Sequence, residues 1–157
     1  MNLQMMTKAS AWDKIFCGLC FSAVVWLIIC FFFGIMPAIV QQNSMAPTYC
    51  DGDLILMHRL DEAELPNRGD VVTFFAEPGN STLYVKRVIG LPGDQIRADD
   101  DVLTVNGRFF DNIPGTGSWI VNVPDKHIFR LGDNRASSYD CRYMGCIPVE
   151  QLCAKIL

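Results

Sequence analysis

The chain has 157 residues, which is about the length of one domain. Half of the residues are hydrophobic and 19% are charged, which excludes a disordered, highly charged protein. Residues 41–157 carry 11 basic and 16 acidic side chains. A domain with this acidic balance and no basic stripe is a poor nucleic-acid binder, so we expect no nucleic-acid partner.

The first element in chain order is an apolar segment, residues 15–40. Only four of its 26 residues are not hydrophobic, namely Gly18, Ser22, Gly34 and Pro37. About 20 apolar residues span a bilayer as a helix, and this segment is longer than the apolar part of a cleaved signal peptide. The pattern predicts an uncleaved transmembrane signal anchor at residues 15–40, in contact with membrane lipid, after a short N-terminal segment, residues 1–14.

The charges that flank the apolar segment predict its orientation. Lys8 and Lys14 precede it, and Asp51 and Asp53 follow it. Basic residues are enriched on the cytoplasmic side of membrane proteins. We therefore expect the N-terminus in the cytoplasm and an extracytoplasmic domain at residues 41–157.

Residues 41–157 have the pattern of an all-β domain. Short runs rich in Val, Ile, Phe and Tyr predict strands at 54–57, Val71–Phe75, 83–89, Val102–Val105 and 128–131. Residues 102–110 predict a hairpin that turns at Asn106-Gly107. No later segment shows a long helical period, so we expect a barrel or sandwich of short strands.

The cysteines and histidines favour neither a metal site nor redox chemistry. Cys17-x-x-Cys20 has the spacing of a redox motif, but it lies in the apolar segment, where thiols behave as small hydrophobic side chains. The two histidines match no zinc-ligand spacing, so we expect no metal and no cofactor. A disulfide between Cys141 and Cys146 is compatible with an oxidising compartment.

Two residues have the chemistry of a catalytic pair. Ser44 comes three residues before Pro47. Because a proline biases the residue before it, here Ala46, towards extended geometry, we expect Ser44 on a stiff extended segment. By itself the segment is also typical of a linker serine. Lys86 lies between Tyr84 and Val88 on one face of a predicted strand. If that face is buried, Lys86 loses its charge easily and can serve as a general base, whereas an edge strand would leave it as a surface lysine.

A third segment, residues 131–142, is dense in turn-forming and charged residues. It is typical of a solvated loop, or of a loop whose Asp–Arg pairs hold a site rigid. Together with the two segments above, it resembles the bacterial type I signal peptidases, in four motifs that follow the family's order. The motifs are Ser44-Met45-x-Pro47-Thr48, Arg68-Gly69-Asp70-Val71-Val72, Lys86-Arg87-Val88-Ile89-Gly90-Leu91-Pro92-Gly93-Asp94, and Gly132-Asp133-Asn134-Arg135 with Ser138-x-Asp140-x-Arg142-x-x-Gly145.

The resemblance implies a membrane-bound serine endopeptidase of all-β fold with a Ser–Lys dyad. It acts on exported preproteins at the outer face of the cytoplasmic membrane, and it cleaves their signal peptides after small residues of the Ala-x-Ala type. Ser44 matches the nucleophile and Lys86 the general base. Ser138 matches a serine that hydrogen-bonds the lysine, and Asp140 and Arg142 match a supporting ion pair. The residues expected to line the substrate pockets are Val40, Met45, Thr73, Tyr84 and Val85.

One departure from the family's pattern concerns the oxyanion hole. The backbone N–H of Ser44 would be one donor, and many relatives have a serine two residues before the nucleophile as the second. Here that residue is Gln42, whose side-chain amide can donate over a different reach.

Other functions remain open from the sequence. The nearest keeps the dyad and is a specialised processing peptidase of the conjugative-transfer type, which matures a pilin. A self-cleaving repressor shares the dyad but needs a DNA-binding domain, where this chain has an apolar segment. A catalytically dead binding module would not need both Ser44 and Lys86.

Overall fold

The computed structural model describes residues 11–61, 64–75, 82–114 and 116–157. Residues 1–10 of the predicted N-terminal segment lie outside this part of the chain. The described chain divides into two compact units, residues 11–35 and 36–157.

The first unit consists mainly of helix α1, Ala11–Phe32. Its window Ala11–Ile28 is long and apolar enough to cross a membrane. The helix ends at Phe32, and Ile35–Ile39 form a strand, β1, although we predicted one span over residues 15–40. Gly34 has a φ of 63°, a conformation that interrupts a right-handed helix. Membrane insertion of α1 stays a prediction.

The second unit is built from β-strands, as the sequence predicts. The described strands after β1 are Leu54–Arg59 (β2), Val71–Phe75 (β3), Leu83–Gly90 (β4), Gln95–Asp99 (β5), Val102–Val105 (β6), Arg108–Asn112 (β7), Trp119–Asn122 (β8), His127–Leu131 (β9), Ile147–Pro148 (β10) and Leu152–Ile156 (β11). A short helix, α2, spans Cys141–Met144.

These strands form two antiparallel sheets in the described chain. The larger has the order β1-β2-β11-β3-β4-β9-β10, and the smaller has the order β7-β6-β5-β8. The expectation of an all-β fold is therefore confirmed. Strands β3 and β6 have the predicted bounds, and the predicted hairpin is β6–β7, with positive φ at Asn106 and Gly107.

The apolar residues of the strands form separate clusters on the two sides of the larger sheet. Val72, Phe74, Val88 and Ile128 belong to one of them and are fully buried. Another joins the larger sheet to the smaller and contains Ile89, Ile96 and other residues of β5, β6 and β9. This packing makes β4 a central strand with buried side chains on both faces, which is the setting of Lys86.

Candidate active site

Ser44 lies on a chain reversal between β1 and β2. We predicted an extended segment here, and that prediction is wrong, because Ser44–Thr48 form consecutive turns. Local backbone hydrogen bonds close the turns, from Ala46 N–H to the Asn43 oxygen at 3.2 Å and from Tyr49 N–H to the Met45 oxygen at 3.0 Å. The reversal leaves the Ser44 side chain partly exposed.

Lys86 lies on the buried face of β4 and is 3% exposed. Its Nζ atom is hydrogen-bonded to the Ser44 hydroxyl at 2.8 Å and donates to the Val85 carbonyl oxygen at 2.9 Å. Burial lowers the pKa of Lys86 from 10.5 to about 8. The charge of Asp140 opposes this shift and that of Arg130 adds to it. A hydroxyl and a readily deprotonated amine therefore meet at hydrogen-bond distance.

The loop after β9 holds the Ser44 turn in place. The backbone N–H of Asn134 donates to the Ser44 carbonyl oxygen at 3.1 Å, and the Asn134 side-chain amide donates to the Asn43 carbonyl oxygen at 3.0 Å. Gly132 leaves no room for a side chain, because an added Cβ atom would collide with the Ser138 hydroxyl and the Ser44 carbonyl oxygen. The fit between loop and turn thus depends on this glycine.

Asp140 and Arg142 form the ion pair that the sequence predicts. Arg142 Nε lies 2.9 Å from Asp140 Oδ1, and Nη2 lies 3.0 Å from Oδ2. The Asp140 carboxylate is fully buried and also accepts the Gly132 N–H at 3.1 Å. Burial by itself would raise the pKa of Asp140, but the hydrogen bonds from Arg142 and Gly132 hold it below its usual value. Asp140 therefore stays ionised and joins two ends of the loop.

Ser138 is buried beside Gly132, at 6% exposure. We predicted a hydrogen bond from this serine to the base. Its hydroxyl forms no hydrogen bond with Lys86 in this structure, so the predicted bond is absent, and it instead faces the Asp140 carboxylate, whose pKa it helps to lower. Cys141 and Cys146, which follow in the same loop, are free thiols.

A cavity of about 520 Å³ lies beside Ser44 and Lys86. All the residues predicted for the substrate pockets line it, namely Val40, Met45, Thr73, Tyr84 and Val85. Gln42, the candidate second oxyanion donor, lines it as well. The backbone N–H of Gln42 donates to Asp51 Oδ1 at 2.7 Å, so the donor that Gln42 can offer to a ligand is its side-chain amide.

Several cavity residues escaped the sequence analysis: Ala38, Ile39, Ile55, Met57, Ser137 and Tyr139. Ala38 and Ile39 were assigned to the membrane span. Ile55 and Met57 lie two positions apart on β2 and are both buried, which is an alternation that the sequence displays.

Arg130, on β9, also escaped the sequence analysis. It is fully buried, and its guanidinium carbon lies 3.3 Å from the centre of the Phe74 ring. An arginine within an apolar strand pattern normally indicates an exposed face. Nothing in the local sequence therefore signals its burial.

Comparison with known proteins identifies the family. The family model described as signal peptidase, peptidase S26, matches residues 14–157. The chain belongs to this family. It is a peptidase, as the four sequence motifs indicate, and the resemblance to the bacterial type I signal peptidases is confirmed.

Individual relatives agree with the family assignment. Signal peptidase I of Bacillus caldolyticus is 36% identical over 138 residues, which cover 75% of each protein. Signal peptidase IB of Staphylococcus aureus strain Mu50 is 29% identical and covers 86% of this chain and 84% of its own length. The crystal structure of a signal peptidase I from Enterococcus faecalis V583 superposes with a TM-score of 0.51 at 29% identity, over 60% of this chain and 97% of that one. These relatives and α1 support signal peptide removal by a membrane-anchored enzyme.

Proposed function

We propose that the chain is a membrane-bound serine endopeptidase that removes signal peptides from exported preproteins with a Ser44–Lys86 dyad. The observation that carries this proposal is the 2.8 Å contact between the Ser44 hydroxyl and the amine of a lysine that is 3% exposed. Helix α1 anchors the enzyme in the cytoplasmic membrane with the N-terminus inside, and residues 36–157 work on the outer face.

The reaction begins with Lys86 in its neutral form. Its lone pair accepts the proton of the Ser44 hydroxyl, and Ser44 Oγ attacks the carbonyl carbon of the scissile peptide bond. The protonated Lys86 then gives that proton to the leaving amine, and the acyl group remains on Ser44 as an ester. Lys86, neutral again, takes a proton from a water molecule whose oxygen attacks the ester carbonyl carbon. It returns that proton to Ser44 Oγ as the ester bond breaks. The mature protein is the amine product, and the signal peptide leaves as the carboxylic acid.

The negative charge on the attacked oxygen is stabilised by the backbone N–H of Ser44 and by the side-chain amide of Gln42. Donors aimed at this charge are worth about 10² to 10³ in rate for each hydrogen bond. Gln42 has a φ of 68° and lines the cavity two residues before the nucleophile, which supports its role.

The loop after β9 holds Ser44 and Lys86 in their relative positions. The Asp140–Arg142 pair holds the loop that hydrogen-bonds Ser44 through Asn134. The same loop positions the buried hydroxyl of Ser138. We assign to this hydroxyl the role of orienting the Lys86 amine when substrate occupies the cavity.

Substrate recognition depends on the cavity beside the dyad. Its wall includes Val40, Met45, Thr73, Tyr84 and Val85, of which three have apolar side chains that can contact small residues of the substrate. The preferred substrate therefore has alanine, or a residue of similar size, directly before the cleaved bond and two residues earlier.

The test is cleavage of a purified preprotein that carries an Ala-x-Ala site by the full chain in detergent. Ser44→Ala and Lys86→Ala should each abolish cleavage, while the exposed residues Ser118 and Lys126 provide matched controls as Ser118→Ala and Lys126→Ala. A second preprotein, with leucine in place of the alanine before the cleaved bond, should be spared. Activity that survives Lys86→Ala would contradict the dyad, and equal cleavage of both preproteins would contradict the specificity.

A further inference from the structure

Arg130 lies on the same face of the larger sheet as the base. Its register partner on β4 is Val88, and Val88 and Lys86 point to the same side because they are two residues apart. Diagonal neighbours of this kind lie roughly 7–8 Å apart, which is within the reach of long side chains. The Lys86 amine and the Arg130 guanidinium therefore share one buried environment.

This environment is apolar. Val72 is the register partner of Lys86 on β3, and Phe74 lies against the Arg130 guanidinium. Val72, Phe74 and Val88 are each 0% exposed, as is Arg130 itself. Two like charges in such surroundings repel more strongly than they would in water.

The guanidinium of Arg130 forms no ion pair with the described residues, although the charge of Asp140 acts on it from a longer distance. None of its three nitrogen atoms has a hydrogen-bond partner there, and no carboxylate oxygen lies within 4.0 Å of it in the described chain. Burial raises the pKa of Cys141, a titratable thiol on α2, to about 11, so this thiol remains neutral. Burial also raises the pKa of Cys146.

The carboxylates whose charge reaches Lys86 are Asp140 and Asp133, and each is already paired. Asp140 is held by Arg142, and Asp133 by Arg87. Arg130 is, among the described residues whose charge reaches the base, the one that has no ion-pair partner. Although burial lowers the pKa of Arg130 to about 10, the guanidinium is still charged near neutral pH.

We propose that Arg130 is a positioning residue that acts on the reaction through Lys86, because its buried positive charge disfavours the ammonium form of the base. The proposal rests on the proposed dyad. It assigns to Arg130 the maintenance of a neutral, proton-accepting Lys86, in addition to the burial that β4 provides. Arg130 itself touches neither the nucleophile nor the cavity that receives the substrate.

The test is the pH dependence of kcat/KM for the full chain in detergent, with an Ala-x-Ala preprotein as substrate. Arg130→Met and Arg130→Gln both remove the charge, and the test can be made with whichever of the two variants folds. Each should move the rising limb of the profile upward by about one pH unit, so that kcat/KM at pH 7 falls about tenfold while the high-pH plateau is retained.

Ile128→Val is the matched control, since Ile128 is fully buried in the same cluster and carries no charge. It should lower stability slightly and leave the limb in place. A folded Arg130→Met or Arg130→Gln with an unmoved limb would overturn the proposal, as would an equal shift in Ile128→Val. The wild-type profile distinguishes failure of the Arg130 proposal from failure of the proposed dyad. A wild-type profile without a rising limb would contradict Lys86 as the base.

If both neutral variants fail to fold, the pKa of Lys86 is measured by NMR of lysine labelled at the ε carbon in Phe74→Leu. This variant removes the ring that stacks on the guanidinium and keeps the charge. A Lys86 pKa that stays near 8 in that variant excludes the Phe74 ring as the cause and supports the charge of Arg130. A pKa that returns towards 10.5 assigns the effect to the apolar packing and overturns the proposal.

Discussion

The guanidinium of Arg87 and the carboxylate of Asp133 meet through two parallel hydrogen bonds. Arg87 Nε lies 2.8 Å from Oδ1, and Nη2 lies 2.6 Å from Oδ2. The same carboxylate accepts the hydroxyl of Thr48 at 2.6 Å. Since Arg87 follows Lys86 and Thr48 ends the turn of Ser44, one carboxylate holds together the two segments that carry the proposed dyad.

We expect Arg87→Met to destabilise the fold because the Asp133 carboxylate, 12% exposed, then loses its bidentate partner and keeps only the 3.9 Å contact with Arg135 Nη1. Breaking a buried pair costs about 3–5 kcal/mol, and with Arg87 partly exposed we expect a loss of about 2 kcal/mol in the free energy of unfolding. Urea denaturation measures it. Arg97→Met is the control, because its pair with Asp99 is solvent-exposed and should change stability very little. Equal losses in both variants would contradict this account.

The rate of cleavage should depend on the protonation state of Lys86. Only the neutral amine accepts the serine proton, and burial lowers the pKa of Lys86 to about 8. We therefore expect kcat/KM to rise about tenfold for each pH unit up to about pH 8 and then to level off. A profile that is flat from pH 6 to pH 10 in the wild type would argue against Lys86 as the base.

The same shift predicts that Lys86 destabilises the fold at neutral pH. The pKa of this side chain is about 8 in the folded chain, against 10.5 for a lysine in water, as in the unfolded chain. The unfolded chain therefore binds more protons between these values, and stability rises with pH there. Below pH 8 the full cost is present, and it amounts to about 3 kcal/mol.

Lys86→Met should therefore be inactive yet more stable than the wild type at pH 7, by up to that amount. Paired urea denaturations of the two proteins at pH 7 and at pH 10 measure this difference. The advantage of the variant should shrink at pH 10. A variant that is less stable than the wild type at pH 7 would show that the lysine is not held in an unfavourable environment.

Gly132 should be required for the placement of the nucleophile. A Cβ atom there would displace the Ser44 carbonyl oxygen or the Ser138 hydroxyl, and a displacement of about 1 Å can cost about 10² in rate. We expect Gly132→Ala to lower kcat by roughly that factor in folded protein. Gly90→Ala is the control, since its Cβ would meet the side chains of Ile96 and Val123, away from the dyad. It should lower the melting temperature and preserve kcat, and a comparable loss of kcat there would remove the argument for Gly132.

Gln42 should act in the transition state and not in substrate binding. Removing one oxyanion donor costs about 10² to 10³ in rate, so Gln42→Ala should lower kcat by at least 10² with little change in KM. Gln41→Ala is matched to it, because Gln41 lines the same cavity and is also exposed. If steady-state kinetics show the two variants within twofold of each other, the second donor is another group.

The sequence predicted those parts of the molecule that depend on neighbouring residues. The run of apolar residues predicted the existence of helix α1, although not its ends, and the Asn106-Gly107 dipeptide predicted the β6–β7 hairpin. Strand β3 has its predicted bounds since β-branched and aromatic residues occupy it entirely. The proposed catalytic residues, Ser44 and Lys86, were named through family motifs, which supplied information that local chemistry lacks.

Only the tertiary structure decided the position of β11, the turn at Ser44 and the environment of the base. β11, the last strand in the chain, pairs with both β2 and β3 in the middle of the larger sheet, and no local pattern encodes such a distant partner. The Ser44–Lys86 contact joins residues 42 positions apart. Arg130 lies buried beside Phe74 because β9 pairs with β4 on one side and covers the core. Burial depends on which strands become neighbours, and that choice is made by the packing of the whole domain and not by the residues on either side of an arginine.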